Sequence, residues 1–454
     1  MTFSLEPKKV KKISTQYRKI VTDIPVPESV KIIQEIYKYE SRSMHGQLPI
    51  VWNKAENFIV HDYWGNQWID FSSTIFVSNA GHGNQKIADK INHTINKPLM
   101  HTYTYASKER SSYLKFLIEN TPDNFEKAYL VSAGTEATEA AFKLMRLYGI
   151  KQGKRKNGII CIRGNWHGRT TGAQLMSDNE NQRSWIGFDD KNMYHIKFPY
   201  PWLEGTSNPK NFLLDELKNL KKENNIDFKK DVCGIMLETF QGWAGLFYPN
   251  EYIEAMAQFA KENDLLITFD EMQAGFGRTG KLFGYMHYNI VPDLICCGKG
   301  TTSSLPLSIV LGPKKIMDLP EIGSMSSTHS ANPLSCVAGE ENLRIIIEDD
   351  LIEKSHKLGL FMHEELNKIK NKYPKNIKYI FGKGLIAGIL FYKNEEPLSQ
   401  LCSKICEIAM QNGLILVHTG RESIKIGPPL SISYEALKEG LQVLDEAIAE
   451  SLND

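Results

Sequence analysis

The sequence has no surplus of charge of either sign: its 454 residues include 54 lysines and arginines and 53 aspartates and glutamates. A protein that coats a polyanion needs an excess of positive charge, so this balance argues against nucleic-acid coating. Hydrophobic residues make up 42% and charged residues 24% of the chain, which excludes intrinsic disorder and collagen-like repetition. A chain of this length is expected to hold two domains, or one large domain with a smaller partner.

Long hydrophobic runs are also missing. One of the longest, residues 384–391, falls far short of the roughly 20 apolar residues that span a bilayer. No apolar stretch of the kind found in secretory signals follows the first residues. We therefore expect a protein that does not associate with membranes.

Cysteine is sparse and irregularly placed. The seven cysteines form no Cys-x-x-Cys pair, and no His-Glu-x-x-His motif occurs, so neither a disulfide framework nor a metal site is indicated. Several cysteines lie in apolar runs such as residues 293–297, where a thiol serves as a small core residue. Unpaired thiols are typical of a reducing compartment, and the sequence predicts a cytoplasmic protein.

The N-terminal segment differs from the rest of the chain. Residues 8–12 form a small basic run, which is typical either of a targeting or nucleic-acid signal or of a solvated arm. The near-neutral charge of the whole chain favours the arm. Ser29, followed by the apolar Val30, Ile32 and Ile33, predicts a short helix that Ser29 caps.

From about residue 75 the chain alternates helical patterns with short β-rich runs. Helical patterns occupy residues 136–147, 252–263 and 338–347, and strand-like runs occupy residues 158–162, 232–237 and 265–269. Short apolar runs separated by helices predict a mostly parallel sheet that is covered on both faces. Further on, strands near 377–391 and 413–427 and a terminal helix at 434–452 predict a smaller α+β domain.

Two glycine motifs suggest nucleotide binding, but their context argues against it. Residues 275–280 match Gly-x-Gly-x-x-Gly, yet Asp270 and Glu271 would stand directly before the phosphates and no helix start follows. Gly298 and Lys299 are followed by Gly300 rather than by Ser or Thr, so this is not a P-loop.

The same residues suit a different chemistry. Asp270 ends an apolar strand, at the sheet edge where open α/β folds bind ligands. Lys299 lies between two glycines after another apolar strand, where apolar neighbours favour the neutral amine. A neutral amine can form an imine with an aldehyde cofactor such as pyridoxal 5′-phosphate (PLP).

Two more segments fit such a cofactor. The helix start at residues 132–136 suits a phosphate group, and Trp166 follows a strand where it could stack on a ring. Each of these residues has an ordinary alternative as a turn, a helix cap or a core residue. By themselves they indicate an α/β enzyme with a cofactor, and they leave the cofactor open.

Five ordered motifs resemble the class III PLP-dependent aminotransferases of fold type I, which include ornithine, 4-aminobutyrate and other ω-amino transaminases. The motifs are residues 132–137, 166–170, 270–280, 298–300 and 327–334. The resemblance covers about Trp52 to Ala449. It implies an α/β fold with three parts: an N-terminal arm with part of the small domain at 1–74, a large PLP-binding domain at 75–334 and a C-terminal small domain at 335–454.

The resemblance also implies roles for residues around the cofactor ring. Lys299 would be the Schiff-base lysine and the acid/base that moves the substrate proton, and Asp270 would pair with the pyridine nitrogen. Gln273 would hydrogen-bond the phenolic oxygen of the ring. Trp166 would stack on the ring, and Glu238 would be the acid near the ring and Gln273.

Two further roles concern the phosphate group and the assembly. Gly134 and Thr135 would bind the phosphate, together with Thr328 from a second subunit. The resemblance therefore implies a homodimer with shared active sites.

The substrate pocket departs from the family pattern at two positions. Family members that use glutamate as the donor often carry a switchable Glu where this chain has Trp243, and an arginine that grips the α-carboxylate where it has Lys425. Lysine is a point charge and lacks the planar fork of arginine. Lys425 is therefore either a weaker carboxylate ligand or a surface lysine, and in the second case Arg421 could take over.

The remaining pocket residues favour an uncharged amine. With Ile75, Phe76 and Tyr103, Trp243 would line a mainly apolar pocket, since an indole supplies stacking area where the family has a charge.

Alternatives to transamination stay open at this point. The same lysine and ring support a PLP-dependent racemase, aminomutase or phospho-lyase. A PLP-binding protein without turnover is disfavoured by the presence of Lys299, Asp270 and Gln273, and a nicotinamide oxidoreductase lacks its motif. The leading interpretation is an aminotransferase that moves an amino group from a small-molecule amine or amino acid donor to a carbonyl acceptor (a keto acid, an aldehyde or a keto sugar) in two half-reactions.

Overall fold

The computed structural model describes residues 3–453. Within this range the strands are β1 (Ile13–Ser14), β2 (Lys19–Ile20), β3 (Lys54–Glu56), β4 (Ile59–His61), β5 (Gln67–Asp70), β6 (Lys127–Val131), β7 (Gly158–Ile162), β8 (Met193–Ile196), β9 (Val232–Glu238), β10 (Phe240–Gln241), β11 (Leu246–Phe247), β12 (Leu266–Asp270), β13 (Leu294–Cys297), β14 (Ser308–Gly312), β15 (Ile377–Lys383), β16 (Ile386–Lys393), β17 (Glu396–Pro397), β18 (Leu414–Ile415), β19 (Val417–His418) and β20 (Ser423–Ile426).

Helices alternate with these strands along the chain. They are α1 (Pro27–Tyr39), α2 (Ser73–Phe76), α3 (Gln85–Ile95), α4 (Lys108–Glu119), α5 (Gly134–Lys151), α6 (Thr171–Met176), α7 (Glu180–Arg183), α8 (Pro209–Asn224), α9 (Phe228–Asp231), α10 (Asn250–Asn263), α11 (Lys314–Met317), α12 (Pro333–Glu348), α13 (Leu351–Lys372), α14 (Ser399–Gln411) and α15 (Tyr434–Asn453).

The largest sheet has seven strands in the order β6-β14-β13-β12-β9-β7-β8. Strands β13, β12, β9, β7 and β8 pair in parallel, and β14 runs antiparallel to both of its neighbours. Parallel strands need crossover connections, which the helices between them supply. The predicted mostly parallel sheet is therefore confirmed.

Both faces of this sheet are buried. Along β7, Ile159 and Cys161 belong to one apolar cluster with helix α5, whereas Ile160 and Ile162 belong to the cluster on the other face. Because successive side chains of a strand point to opposite faces, a strand covered on both sides reads as a continuous apolar run. This explains why β7 could be predicted from the sequence.

The C-terminal part carries a second sheet, in the order β15-β16-β20-β19 with β17 on β16. Its neighbouring strands are antiparallel. Helices α13, α14 and α15 pack with one another and with this sheet. Lys425, on β20, lies opposite Gly388 of β16 and Val417 of β19.

The N-terminal strands form a third sheet, which a C-terminal strand completes. Its order is β1-β2-β5-β4-β3, and β18 pairs in parallel with β5. The indole nitrogen of Trp68 donates a hydrogen bond of 2.8 Å to the carbonyl oxygen of Met410. The N-terminal segment and the C-terminal part are thus joined through one sheet.

One predicted helix start is wrong. Helix α1 begins at Pro27, and Val26 is its N-cap residue without a side-chain cap. Ser29 lies inside the first turn, where its hydroxyl donates to the carbonyl oxygen of Val26. Proline is preorganised for the first helical position, and it sets the boundary here.

Two whole-chain features bear on the sequence expectations. All seven cysteines are buried and unpaired. Among residues 3–453, no helix combines the length and the apolar character needed to cross a membrane.

Candidate active site

Two carboxylates end neighbouring strands at the carboxyl edge of the seven-stranded sheet. Asp270, the last residue of β12, lies in register with Glu238, the last residue of β9, and with Cys296 of β13. Lys299 follows β13 directly, in a single 3-10 turn at Lys299–Thr301. The parallel arrangement therefore brings two acids and one lysine to the same edge, as open α/β folds do for their ligands.

Asp270 is fixed by two hydrogen bonds. Its Oδ2 lies 2.9 Å from Nδ1 of His167, and its Oδ1 accepts from the amide of Met272 at 2.9 Å. His167 follows β7, whose carboxyl end lies at the same edge, and its Nε2 is buried with no partner among residues 3–453. His167 belongs to the motif at residues 166–170, but the sequence predicted no role for it.

Lys299 adopts a left-handed backbone conformation with φ of 46°. Such a conformation is costly for a non-glycine residue, and the surrounding structure must hold it. The side-chain amide of Asn342 does so by donating to the carbonyl oxygens of Gly300 and Thr301, at 2.9 Å each. Burial lowers the pKa of the Lys299 amine, and the carboxylates of Asp270 and Glu238 oppose that shift.

The start of helix α5 packs against the loops that carry Asp270 and Lys299. A Cβ atom on Gly134 would lie 2.9 Å from Sδ of Met272, and a Cβ on Gly298 would lie 2.5 Å from the same sulfur. Thr135, next on the helix, shares a 2.7 Å hydrogen bond with the hydroxyl of Thr170. The close approach places an 18-residue helix N-terminus, a favourable position for a phosphate, beside the acid and the lysine.

Glu238, Gln273 and Lys425 form a chain of polar contacts. Nε2 of Gln273 lies 3.4 Å from Oε1 of Glu238, and Oε1 of Gln273 accepts from Nζ of Lys425 at 2.9 Å. Burial, and then the charge of Asp270, raise the pKa of Glu238 to about 8. Lys425 is buried and points inward, so the alternative that it is a surface lysine is wrong.

The amine of Lys425 also lies over an aromatic ring, with Nζ 4.8 Å from the centroid of Phe76. Ser73, Thr74, Ile75 and Phe76 all have positive φ, from 47° to 69°. This left-handed turn is held by the Ser73 hydroxyl, which donates to the carbonyl oxygen of Gly427 at 2.6 Å. Phe76 is buried, whereas Ile75 is 38% exposed.

Trp243 and Arg421 stand at the outer side of this group. The guanidinium carbon of Arg421 lies 3.7 Å from the centroid of the Trp243 ring, and Arg421 also pairs with Glu422 at 3.1 Å. Nε1 of Trp243 donates to Oε1 of Gln241 at 3.1 Å. Both side chains are thus engaged away from Lys425.

Trp166 lies next to Glu238, because its amide donates to Oε2 of Glu238 at 3.0 Å. The guanidinium of Arg169 lies 4.7 Å from the Trp166 ring centroid. The backbone of Trp166 is thus anchored to Glu238, and the Arg169 guanidinium packs against its indole ring.

Two predicted residues are not brought to this site within the chain. Thr328 and Tyr103 are exposed. Within the described part of the chain, no hydrogen bond links either side chain to Lys299, Asp270 or Gly134, and the carbonyl oxygen of Thr328 instead lies 2.9 Å from Nε2 of His101.

The arrangement fits PLP. A buried amine with a lowered pKa can react with an aldehyde, a buried carboxylate suits a protonated pyridine nitrogen, and a glycine-bearing helix start suits the phosphate. No group of three or more potential metal ligands occurs among the residues that the structure describes.

Comparison with known proteins gives a consistent result. The family described as Aminotransferase class-III matches residues 40–448. The acetylornithine aminotransferase of Caldanaerobacter subterraneus subsp. tengcongensis is 32% identical over 409 residues, covering 89% of this chain and 96% of that protein. The alanine/serine racemase of Pyrococcus horikoshii is 29% identical over 467 residues, covering 100% of this chain and 97% of that protein.

This chain is also similar in structure to a solved aminotransferase. The acetylornithine aminotransferase from Elizabethkingia anophelis superposes with a TM-score of 0.78 at 28% identity, covering 93% of this chain and 99% of that one.

Proposed function

The chain belongs to the class III aminotransferases, and from that membership we propose which atoms carry its reaction and which kind of amine it takes. The enzyme is PLP-dependent and moves an amino group from an amine donor to a carbonyl acceptor in two half-reactions. The proposal is that Lys299 carries the cofactor and moves the proton, and that the donor presents its amine on a carbon without a carboxylate. It rests on the inward-pointing Lys425 amine, which lies beside Gln273 and Phe76.

Each residue has a part in holding the cofactor or the proton. PLP, when bound, withdraws electrons from the substrate carbon that bears the nitrogen. Nζ of Lys299 takes the proton from that carbon and holds it for return, which a lowered pKa favours. Asp270 would hold the pyridine nitrogen, with its carboxylate oriented by His167.

Other residues position the ring and its phosphate. Gln273, oriented by Glu238, would hold the phenolic oxygen, and Trp166 would cover the ring. Gly134 and Thr135 would bind the phosphate at the start of α5.

The donor class follows from what surrounds its binding position. An α-carboxylate is best matched by the planar fork of an arginine, and Lys425 offers one point charge, which donates a proton to Oε1 of Gln273. Phe76 and Trp243 supply apolar and aromatic surface instead. An amine at the end of an apolar or sugar-like chain fits these contacts better than an α-amino acid does.

Two measurements test the assignment of Lys299 and the reaction. Borohydride reduction of the holoenzyme followed by peptide mapping should label the peptide that contains Lys299, and labelling of any other lysine contradicts the assignment. A terminal amine should yield its carbonyl product in stoichiometric amount. Racemisation of alanine or serine without a carbonyl product would instead favour the activity named for the Pyrococcus relative.

We also propose a homodimer with shared sites. Tyr105 is 78% exposed and Ile322 is fully exposed, and they lie on two surface segments that hydrogen bonds join at Met100–Asn332 and His101–Thr328. Exposed apolar side chains on adjoining segments mark a contact surface. Thr328 lies in the middle of it, where a second copy would receive it.

A mixing experiment tests the shared site. Dimers that combine one Lys299→Ala chain with one Thr328→Ala chain have one site with both lesions and one site with neither. After random exchange of subunits, about half of the dimers are mixed, and one of the two sites in each mixed dimer is intact. Activity should therefore rise to about a quarter of the wild-type value, above the summed activities of the two separate variants. A fully active monomer by light scattering contradicts the proposal.

A cytoplasmic location is proposed as well. Seven buried, unpaired thiols are compatible with a reducing compartment. Fractionation of the source cells with a tagged chain tests it, and recovery in an oxidising compartment contradicts it.

A further inference from the structure

The Lys425 amine stands in the reaction site without a carboxylate partner. Among residues 3–453 no carboxylate oxygen lies within 4.0 Å of its Nζ, and the amine donates a hydrogen bond to the neutral Oε1 of Gln273. The side chain is 7% exposed. A cation placed there has no ion pair, and the Phe76 ring, 4.8 Å from the amine, compensates it only in part.

We propose that Lys425 is a proton-operated specificity switch: its amine is neutral while the donor is bound, and it takes up one proton from solvent when a keto acid brings its carboxylate. The proposal rests on the donor class proposed above. In the family pattern a glutamate side chain switches the charge of an arginine side chain. Here the gain and loss of one proton on Lys425 would do the same.

The charges around Lys425 support this. The 3-10 turn after β13 presents Lys299, the end of β9 presents Glu238, and the loop after β12 presents the neutral Gln273. On the flanking strands Gly388 and Val417 carry no charge. In the cofactor-free protein, burial first and then the charge of Lys299 lower the pKa of Lys425 to about 7, while Glu238 acts in the opposite direction.

The identity of the residue decides whether a proton can operate the switch. Each pH unit between ambient pH and a pKa changes the neutral fraction tenfold, so near pH 7 an arginine would be neutral in about one molecule in 10⁶. An arginine at this position would therefore need a neighbouring carboxylate to neutralise its charge. For Lys425, burial without an ion-pair partner lowers the pKa to about 7, so its amine can lose its proton without an acid beside it.

The neighbouring residues cannot supply the usual switch. Trp243 has no charge to offer, and Arg421 is held over the Trp243 ring and paired with Glu422. Arg421 is also exposed. The inward cation that meets a substrate carboxylate is therefore Lys425.

Proton linkage of carboxylate binding tests the switch independently of turnover. Glutarate has carboxylates but no amine or carbonyl, so it binds to the holoenzyme without reacting. Isothermal titration calorimetry in buffers of different ionisation enthalpy should show uptake of close to one proton at about pH 8.5 and almost none at about pH 6. Glu238, whose pKa is raised to about 8, titrates in the same range, and the Lys425→Arg variant separates its contribution.

Three variants separate the switch from other sources of protons. Lys425→Arg should bind glutarate at both pH values without proton uptake, and Lys425→Met should bind it about tenfold more weakly at about pH 6, also without uptake. Lys393→Met, an exposed lysine at the end of the neighbouring strand β16, is the matched control and should behave as wild type.

Several outcomes overturn the proposal. They are proton uptake that persists in Lys425→Arg, absence of uptake by the wild type at about pH 8.5, and failure of glutarate to bind at about pH 6, where Lys425 is charged. Failure of the proposed donor class is recognised separately. In that case an α-amino acid, rather than a terminal amine, would convert the cofactor to its amino form.

Discussion

Nδ1 of His167 lies 2.9 Å from Oδ2 of Asp270, and both side chains are buried at the edge of the large sheet. The imidazole thus orients the carboxylate that we place on the pyridine nitrogen. Asp270→Asn should lower kcat by about 10³-fold or more, since the charge is lost. His167→Asn should cost about 10- to 100-fold, the equivalent of one hydrogen bond to a charged group.

Steady-state kinetics and cofactor absorbance check this pair. Asp270→Asn should also shift the cofactor spectrum, whereas His167→Asn should leave it close to wild type. Equal losses in both variants would contradict a positioning role for His167.

Glu238 makes stability depend on pH. Burial and the charge of Asp270 raise its pKa to about 8, above the usual 4.5. The neutral form is tolerated and the ionised form is penalised, so this group destabilises the fold progressively as pH rises from about 4.5 to about 8. Glu238→Gln should therefore raise the Tm of the cofactor-free protein by about 2–5 °C at pH 8.5 and hardly at all at pH 5.

Calorimetry at the two pH values checks this prediction. Glu223→Gln, an exposed carboxyl on α8, is the control and should change Tm at neither pH. A stabilisation by Glu238→Gln that is equal at both pH values would refute the charge argument.

Trp243 is expected to serve the amine half-reaction. Trp243→Glu removes stacking area and adds a charge near the donor, so kcat/KM for the amine should fall about 5- to 150-fold. Trp243→Phe keeps an aromatic face and should lose less. Stopped-flow measurement of each half-reaction separates the effects, and a gain for the amine donor in Trp243→Glu would refute the proposed pocket.

Gly427 leaves room for Phe76. A Cβ on Gly427 would lie 2.2 Å from Cε1 of the Phe76 ring. Gly427→Ala should destabilise the protein by about 1–3 kcal/mol through overpacking, and a second change, Phe76→Leu, should recover part of the loss. Thermal unfolding of the single and double variants checks this, and an unchanged Tm in Gly427→Ala would show that the ring moves freely.

The main strands of the large sheet could be predicted because each is a short, continuous run of apolar residues. Residues 158–162 and 232–237 are apolar on both faces and correspond to β7 and β9 almost to the residue. The acid at the end of β12 and the lysine after β13 followed from the same strands, since parallel strands meet at one edge.

The inward orientation of the Lys425 side chain could not be predicted from the local sequence. The alternation of Ile424, Lys425 and Ile426 is typical of a strand with one buried face and one solvent-exposed face. In the structure Gln273, 152 positions away, and Phe76 cover that second face. Contacts from distant parts of the chain decide such burial, and a local pattern does not contain them. His167 was missed although its position after β7 was a usable signal.

The pairing of β18 with β5 has a consequence for synthesis. The hydrogen bond between Trp68 and Met410 spans 342 positions, so nearly the whole chain must leave the ribosome before β5 gains this neighbour. Until then β5 has an open edge, which is where nascent chains associate wrongly. The first sheet in the sequence therefore cannot be completed until residues 414–415 have been synthesised, and the edge of β5 at Ile69 and Asp70 stays unpaired up to that point.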